Sequence, residues 1–259
     1  MENPQNQLKQ ALLQGKRQIG LWLTLGDATS AEICAAAGFD WLLIDGEHVP
    51  HSLDSVLAQL RAISGYPGTQ AVARVPSADP VIIKQYLDMG VQSLLVPMVQ
   101  SGEEAAAIVR ACRYPPGGER GVGGARAARW GLIPDYLHKA DEQIAIIVQV
   151  ETRQALDDID AIAGTEGVDG VFIGPADLSA SLGHLGQPAH PDVAREILHV
   201  IDRIRTAGKA PGILTRDPEM LREATERGAL LNAVGLDASL LAAQAKTWRK
   251  LMPSAERLT

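Results

Sequence analysis

The sequence has little of what marks secreted or membrane-bound proteins. Cysteine occurs only at Cys34 and Cys112 among 259 residues, which is too few for a disulfide framework and favours a reducing, cytoplasmic location. No apolar run approaches the ~20 residues that cross a bilayer. The N-terminal segment MENPQNQLKQALLQGK is polar and lacks the apolar core of a signal peptide. We therefore expect a cytoplasmic protein without a membrane partner.

Basic residues are also fewer than acidic residues. The chain carries 24 Lys and Arg residues against 31 Asp and Glu residues, which gives a formal net charge of −7. A nucleic-acid partner would require a basic face, so this balance argues against one. The sequence also lacks low-complexity segments and linkers that would separate two domains. We predict a single domain over residues 1–259.

Short apolar runs alternate along the chain with longer stretches of helical spacing. Several helical stretches end at a glycine that leads into the next run, as at Gly38, Gly90 and Gly228. Near-continuous apolar runs are typical of parallel strands covered on both faces. Eight such runs predict strands, at Gly20–Leu25, Asp40–Asp45, Gln70–Arg74, Ser93–Pro97, Ile144–Val150, Val168–Gly174, Ala210–Leu214 and Leu231–Gly235. The pattern favours a closed (β/α)8 TIM barrel, with an open doubly wound sheet as the alternative.

Polar residues gather where the predicted strands end. In a (β/α)8 barrel the carboxyl ends of the strands carry the active site. The seventh run ends in an apolar residue, Leu214, which we include among the predicted substrate-binding residues. The polar residues at or just past the other strand ends are Asp45, Glu47, His48, Arg74, Gln149, Glu151, Asp177 and Asp237. Because these residues come from separate parts of the chain, the sequence predicts that they converge on one rim.

Two acids of this rim are candidate metal ligands. Glu151 and Asp177 follow neighbouring predicted strands, and two carboxylates can share a hard divalent cation such as Mg²⁺ or Mn²⁺. The alternative is structural, since each acid also precedes a helical stretch and could cap that helix. The remaining polar residues of the rim favour the metal site.

Three further features of the rim suit carbonyl chemistry. Arg74 offers a permanent positive charge for an enolate or keto oxygen. His48 is a proton carrier at neutral pH, and Asp45 ends the same strand. The turn Gly174-Pro175-Ala176-Asp177 predicts backbone N–H groups that could bind a carboxylate. Arg74 on a solvated strand end and a structural histidine are the alternatives.

One connection is unusually long. Between Pro97 and Ile144 the sequence contains a helical stretch, a segment rich in Pro and Gly, and a second short helical stretch. Such a length is typical of a lid or binding loop, with a mobile surface excursion as the alternative. Arg120, Arg126 and Arg129 in this segment favour a binding role.

The lysines argue against a Schiff-base aldolase, which needs a lysine inside the barrel near the strand tips. None of them falls there, and Lys209 precedes its strand. A ligand-binding barrel without turnover would need no proton carrier at the rim, and His48 with Arg74 argues against it.

Several stretches resemble the HpcH/HpaI aldolase family from about Gly20 to Leu241. The motifs that carry the resemblance are DGEH at residues 45–48, ETR at 151–153 and GPADLS at 174–179. The resemblance implies a barrel of the phosphoenolpyruvate/pyruvate type and a divalent metal, Mg²⁺, Mn²⁺ or Co²⁺, held by Glu151 and Asp177. It implies that Arg74 stabilises an enolate and that His48 is the general acid–base.

The resemblance also implies a substrate and an assembly. Gln149 and Ala176 match substrate-contacting positions. The expected reaction is aldol cleavage or addition between pyruvate, or hydroxypyruvate, and an aldehyde, for example with 4-hydroxy-2-oxoheptanedioate in the breakdown of aromatic compounds. Members form hexamers, as trimers of dimers whose chains exchange their last helices. A sugar-acid aldolase of the 2-dehydro-3-deoxyglucarate type and a CoA-ester lyase are the alternatives. The loop GGARAARWG looks shortened, which leaves the aldehyde preference open.

Asp88 matches an acid that raises the basicity of the catalytic histidine. The residue ends a helical stretch, however, and helices of a barrel run back towards the face opposite the site. Asp88 could therefore serve His48 only from a neighbouring subunit. The alternative is an i,i+4 ion pair with Lys84 on the same helix.

Overall fold

The eight predicted strands pair in chain order and the last pairs with the first, which closes the sheet into a parallel barrel. The structure is a computed structural model that describes residues 1–251; the last eight residues of the predicted domain lie outside the described part. The closed barrel confirms the predicted architecture. The strands are β1 (Gln18–Leu23), β2 (Trp41–Asp45), β3 (Gln70–Arg74), β4 (Ser93–Val96), β5 (Ala145–Val150), β6 (Gly170–Ile173), β7 (Ala210–Leu214) and β8 (Leu231–Leu236).

Helices alternate with the strands, as the glycine-ended stretches predicted. Side chains of Asp27, Ser52 and Asp79 accept amide hydrogens at the starts of three of them, which satisfies groups that a helix end leaves unpaired. The helices of the described part are α1 (Gln7–Leu13), α2 (Ala28–Ala36), α3 (Leu53–Ile63), α4 (Pro80–Asp88), α5 (Gly102–Cys112), α6 (Tyr136–Lys139), α7 (Arg153–Asp157), α8 (Ile159–Gly164), α9 (Pro175–Ser181), α10 (Pro191–Thr206), α11 (Pro218–Glu226) and α12 (Asp237–Arg249). Within residues 1–251, none of them is both long enough and apolar enough to cross a membrane.

Strand side chains alternate between the barrel interior and the layer beneath the helices. The interior is filled by a cluster that includes Trp22, Trp41 and Phe172. The ring centroids of Trp22 and Phe172 lie 5.3 Å apart, and those of Trp22 and Trp41 lie 6.1 Å apart. A larger apolar cluster joins the outward faces of the strands to the helices. The interior is therefore a packed core with no central pore.

The amino end of the barrel is closed by α1, to which the sequence had assigned no element. Leu8 and Leu12 of this helix join the interior apolar cluster. Asn6 caps α1 by accepting the N–H of Lys9 at 2.8 Å. Its side-chain amide donates to the carbonyl oxygen of Gln92 at 2.9 Å and to Ser93 Oγ at 3.0 Å. The N-terminal segment thus stabilises the end of the barrel opposite the predicted site.

The part of the long connection that follows α5, residues 113–144, runs from the C-terminus of α5 to the start of β5 and so belongs to the amino end of the barrel. Arg120 forms an ion pair with Asp88, and Arg126 Nη1 donates to the carbonyl oxygen of Met89 at 2.6 Å. Arg126 also lines a cavity of about 200 Å³ there, with Asn6 and Gln92. The predicted lid therefore does not cover the carboxyl end of its own chain; the segment packs against the end of α4.

Helix α12 leaves the barrel after its first residues. Asp237 is buried and accepts hydrogen bonds from the N–H and the hydroxyl of Thr24 at 2.7 and 2.8 Å. Beyond it, Leu240, Leu241 and Trp248 are 54%, 60% and 66% exposed. A barrel helix ordinarily buries such side chains against strands, so this helix presents an apolar surface that its own chain does not cover.

Candidate active site

The alternation of strand side chains explains why the predicted residues meet. Counting by two from interior Trp41, Val72 and Ile147 leads to Asp45 on β2, Arg74 on β3, and Gln149 and then Glu151 at the end of β5. All four are buried, with exposed fractions between 1% and 6%. The structure therefore brings these residues together at the carboxyl end of the barrel.

Arg74 is held by two carboxylates. Its Nε donates to Asp45 Oδ1 at 2.8 Å and its Nη2 donates to Asp45 Oδ2 at 2.7 Å, a bidentate pair. Its Nη1 lies 2.8 Å from Glu47 Oε2, and its guanidinium carbon lies 5.4 Å from the ring centroid of Trp22. The solvated strand-end alternative is thus wrong, because this side chain is only 8% exposed. Each terminal nitrogen keeps one N–H for a substrate oxygen.

The two carboxylates that hold Arg74 differ in their ionisation. Burial raises the pKa of Asp45, but hydrogen bonds from Arg74 and from the N–H groups of Glu47 and His48 outweigh it, so the pKa of Asp45 lies below its ordinary value. Burial also raises the pKa of Glu47, and the charge of Arg74 only partly opposes this, so the pKa of Glu47 lies above its ordinary value. Asp45 is therefore a fixed anion that orients Arg74, whereas Glu47 holds a proton more readily.

Glu151 lies under the tip of β4. Its Oε1 accepts the N–H of Met98 at 2.9 Å, and its Oε2 accepts a hydrogen bond from Gln149 Nε2 at 2.5 Å. Met98 has a φ of 58°, a left-handed conformation that is costly for a side chain of this kind and that clusters at functional sites. Burial raises the pKa of Glu151 above its ordinary value, and the charges of Asp177 and Glu47 add to this rise.

The structure contradicts the capping alternative for Glu151 and Asp177. Thr152 caps α7, because its side chain accepts the N–H of Ala155. Asp177 lies inside the first turn of α9, whose cap position is Gly174 without a side-chain bond. In the described part of the chain, the Asp177 carboxylate forms no ion pair or hydrogen bond, and its charge acts on Glu151 and Glu47.

The turn at residues 174–177 keeps two of its backbone donors free. Gly174 donates its N–H to the carbonyl oxygen of Val150 at 3.1 Å, and Pro175 has no N–H. Ala176 and Asp177 are the remaining first-turn donors and have no intrahelical partner. A Cβ at Gly174 would lie 2.3 Å from Glu151 Oε2. Glycine is therefore required here for the close approach of the turn to Glu151.

The donor set around Glu151 fits a hard divalent cation. The ionised carboxylates of this set repel one another, because the charges of Asp177 and Glu47 raise the pKa of Glu151 and the charge of Asp177 raises the pKa of Glu47. Arg74 is already engaged by Asp45 and Glu47. The Oε1 atom of Gln149 is buried without a hydrogen-bond partner. Oxygen ligands alone, with excess negative charge, match Mg²⁺ or Mn²⁺. A cation would neutralise a repulsion that the described residues leave uncompensated.

His48 lies at the outer edge of this site. Its side chain is 65% exposed, and its Nε2 lies 3.7 Å from Glu47 Oε2. Leu214 ends β7 and is partly buried. Glu47 was predicted to lie on the rim, between Asp45 and His48 in the DGEH motif, but was assigned no role in the site. The sequence does not predict its contact with Arg74, because adjacency in sequence does not reveal which strand-end side chains point inward.

The structure does not bring Asp88 to this site within one chain. Asp88 is the last residue of α4, at the amino end of the barrel, and its Oδ1 lies 2.7 Å from Arg120 Nη2. The Arg120 side chain is fully buried, with its guanidinium carbon 4.4 Å from the ring centroid of Tyr114. The alternative of an ion pair with Lys84 is wrong, because Asp88 pairs with Arg120.

Comparison with known proteins gives matches that extend over nearly the whole chain. Residues 18–243 match the family model described as HpcH/HpaI aldolase/citrate lyase. The chain is 61% identical over 244 residues to the 4-hydroxy-2-oxovalerate aldolase of Rhodococcus jostii (strain RHA1), which covers 94% of this chain and 95% of that protein. It is 56% identical over 244 residues to the 4-hydroxy-2-oxo-heptane-1,7-dioate aldolase of Shigella sonnei (strain Ss046), which covers 93% of each.

A solved structure shows the same architecture. The HpcH/HpaI aldolase/citrate lyase family protein from Burkholderia cenocepacia J2315 is 43% identical in sequence to this chain and superposes on it with a TM-score of 0.91. The superposition covers 95% of this chain and 99% of that one. The similarity therefore includes all eight strands and the residues at their carboxyl ends.

Proposed function

This chain belongs to the HpcH/HpaI aldolase/citrate lyase family and is a carbon–carbon lyase of the aldolase type, and we propose that it reversibly cleaves 4-hydroxy-2-oxo acids to pyruvate and an aldehyde. The two relatives described above are named for substrates that share a 4-hydroxy-2-oxo acid group and differ beyond it. With the heptanedioate, cleavage would give pyruvate and succinate semialdehyde. Hydroxypyruvate is the second candidate for the 2-oxo acid.

The observation that carries this proposal is the position of Arg74. A guanidinium fixed by Asp45 and Glu47 lies at the end of β3, on the same rim of the barrel as Glu151 and Asp177. Cleavage of the C3–C4 bond leaves negative charge on the 2-oxo oxygen, and preorganised donors that meet such a charge lower the barrier strongly. The Arg74 side chain is only 8% exposed, and the exclusion of water strengthens its interaction with the developing oxyanion.

We propose that Glu151 and Asp177 hold a divalent cation, Mg²⁺, Mn²⁺ or Co²⁺. Members of this family depend on a divalent metal, and the oxygen-only donor set is one that such ions prefer. When bound, the cation would supply Lewis-acid stabilisation of the oxyanion. Gln149 positions Glu151 through its 2.5 Å hydrogen bond, and the free N–H groups of Ala176 and Asp177 would donate hydrogen bonds to the substrate carboxylate.

His48 is the proposed proton carrier. In cleavage, a base removes the proton of the 4-hydroxyl group, the electrons of the C3–C4 bond move to the enolate, and the aldehyde departs; the enolate is then protonated at C3. His48 lies at the exposed edge where the aldehyde portion would project, and Glu47 lies 3.7 Å from its Nε2. Leu214 would border the same portion of the substrate.

We propose that the active enzyme is a hexamer, a trimer of dimers in which the two chains of each dimer exchange α12. Leu240, Leu241 and Trp248 on α12 are exposed, and so are Ile19 on β1 and Ile33 on α2, at 51% and 66%. An exchanged helix would cover both apolar surfaces at once. Asp88 lies far from His48 in its own chain, so a partner's Asp88 would have to reach it. The single domain and the cytoplasmic location stay predictions.

The chemistry of carbonyl activation can be tested directly. Purified enzyme should cleave 4-hydroxy-2-oxo acids, a chelator should abolish the cleavage, and Mg²⁺, Mn²⁺ or Co²⁺ should restore it. No lysine lies within any of the eight strands of the described barrel, and Lys209 donates to the carbonyl oxygen of Val168 at the amino end. Borohydride with pyruvate should therefore leave the enzyme active. Irreversible inactivation with a covalent pyruvate adduct would contradict the proposal.

A further inference from the structure

A second group of metal-ligating side chains lies in the segment between α9 and α10, outside the active site. The group consists of His184, His190 and Asp192, which we call the histidine cluster. His184 and His190 belong to the connection that follows α9, and Asp192 is in the first turn of α10. One potential ligand atom from each residue lies within 4.8 Å of the other two.

The distances within the histidine cluster are close to those of a coordinated ion. His184 Nε2 lies 3.8 Å from Asp192 Oδ2, and His190 Nδ1 lies 3.7 Å from the same oxygen. In a tetrahedral zinc site with bonds near 2.0–2.1 Å, neighbouring ligand atoms are about 3.3 Å apart. The imidazole rings are stacked, with centroids 3.5 Å apart and planes inclined by 16°. Binding therefore requires a rotation of the rings and a contraction of a few tenths of an ångström.

The neighbours of the cluster determine which of its atoms are unprotonated. His190 Nδ1 accepts the backbone N–H of Asp192 at 3.2 Å, so this nitrogen carries no proton, and a cation bound to it would take the place of that hydrogen bond. Arg195 Nη2 binds Asp192 Oδ1 at 2.6 Å, which leaves Oδ2 available and fixes the carboxylate. The His184 and His190 side chains are 26% and 30% exposed, so the cluster is open to solvent and a water molecule could complete the coordination.

We propose that the histidine cluster binds a transition-metal cation, with Zn²⁺ as the representative ion. Two imidazoles and one carboxylate favour Zn²⁺ over Mg²⁺, because Mg²⁺ prefers oxygen ligands and retains its water. The acid site at Glu151 and Asp177 has the opposite preference. The chain thus has two cation sites that differ in donor chemistry.

A cation in the histidine cluster would connect two helices at the rim of the active site. His184 follows α9, the helix that contains Asp177, and its N–H donates to the carbonyl oxygen of Ser179 at 2.7 Å. Asp192 lies at the start of α10. Binding at this site ties the two helices together and stabilises the native state by mass action. We therefore expect Zn²⁺ to raise the melting temperature.

The test titrates the full-length, chelator-treated protein with Zn²⁺ by calorimetry. The starting variant is Glu151→Gln/Asp177→Asn, in which the acid site is removed. This variant should still bind Zn²⁺ at one site per chain, with excess Mg²⁺ present, and should melt at a higher temperature in its presence. Adding His184→Ala and His190→Ala should weaken the binding by more than about 100-fold and remove the rise in melting temperature. His199→Ala, an exposed histidine of α10 outside the cluster, should change neither.

These measurements distinguish cation binding at the histidine cluster from cation binding at Glu151 and Asp177. Co²⁺ offers a second measurement, because imidazole ligands in a tetrahedral site give intense visible absorption that an oxygen-only site lacks. Loss of that absorption in the variant with both histidines replaced, but with an unchanged circular dichroism spectrum, would support the site. Absence of Zn²⁺ binding in the Glu151→Gln/Asp177→Asn variant, or unaltered binding after both histidines are replaced, would overturn it.

Discussion

At the carboxyl end of the barrel the acids repel one another, whereas around α1, at the amino end, Asn6 and Lys9 find partners within the chain. There, the Asn6 amide bonds to Gln92 and Ser93, and Lys9 Nζ donates to the carbonyl oxygen of Ile144 at 2.6 Å and lies 3.5 Å from Asp169. Buried polar groups with full sets of partners stabilise a fold.

At the carboxyl end, by contrast, three acids crowd together. Burial and mutual repulsion raise the pKa values of Glu151 and Glu47, and Asp177 contributes to both shifts. Arg74 is engaged by Asp45 and Glu47 and does not neutralise Glu151. This arrangement costs stability in the protein alone. The segment around α1 thus maintains the structure, whereas the carboxyl end retains charge for a ligand.

Replacing Glu151 should have the largest effect on activity at the carboxyl end. Glu151→Gln keeps the side-chain shape but removes one acid of the proposed cation site, and we expect aldol cleavage to fall by roughly 10³-fold or more, because a catalytic cation contributes several kcal/mol. The free energy of unfolding of the metal-free protein should not fall, since a buried, repelled charge is removed. Activity assays and urea titration measure both quantities.

A matched control is Asp157→Asn, which changes an exposed acid at the end of α7 and should leave activity and stability unaltered. If Glu151→Gln destabilised the metal-free protein by several kcal/mol and retained activity, the acid would belong to the structural framework, and the distinction between the two ends would be lost.

Arg74→Ala should affect both activity and stability. Loss of one charged oxyanion partner typically lowers the rate about 10²–10³-fold. The variant also leaves Asp45 buried without its cation, which costs about 3–5 kcal/mol of unfolding free energy. Arg74→Lys restores the charge but not the bidentate geometry, so it should recover more stability than activity. Equal recovery of the two would show that charge alone, and not orientation, is what Arg74 supplies.

Asn6→Ala tests the amino end of the barrel, where we expect a loss of stability without a loss of activity. The substitution removes the cap of α1 and the hydrogen bonds to Gln92 and Ser93, and we expect the free energy of unfolding to fall by about 1–3 kcal/mol. The kcat and KM for the aldol substrate should stay unchanged, because Asn6 lies at the end opposite Glu151. A lower kcat in a variant that is still fully folded would show that the amino end takes part in the reaction.

The smallest expected effect is a dependence of stability on pH. Burial raises the pKa of Glu151 above its reference of 4.5, so the native state holds a proton more tightly than the unfolded chain does. The corresponding stability is complete below about pH 4.5 and is lost as the pH rises through the raised pKa. The metal-free wild type should therefore lose more melting temperature than Glu151→Gln between about pH 5 and pH 7. Parallel curves for the two proteins would contradict this assignment.

The strands and much of the site could be predicted from the sequence because both follow local rules. Apolar runs gave all eight strands to within a few residues at each end, for example β3 at Gln70–Arg74 as predicted. The alternation of side chains along a strand then determines that Asp45, Arg74 and Glu151 point inward, at the end where barrel chemistry occurs. These features require no knowledge of long-range contacts.

The features that escaped prediction depend on contacts between distant residues. The ion pair of Asp88 with Arg120 joins residues 32 apart in sequence, and Asn6 reaches Gln92 across 86. Nothing local distinguishes Arg120, which is buried, from Arg129 in the same long segment. Similarly, the apolar side chains of α12 follow an ordinary helical pattern, and only the structure shows that their own chain leaves them exposed.

We propose that the carboxyl end of the barrel forms the pyruvate enolate, and exchange of the pyruvate methyl protons in deuterated water measures this step without any aldehyde. Wild type and Asn6→Ala with Mn²⁺ should exchange rapidly and at similar rates, chelator-treated wild type should not exchange, and Arg74→Ala with Mn²⁺ should exchange about 10²–10³-fold more slowly. Exchange at the full rate by the chelator-treated enzyme, or by Arg74→Ala, would contradict the claim.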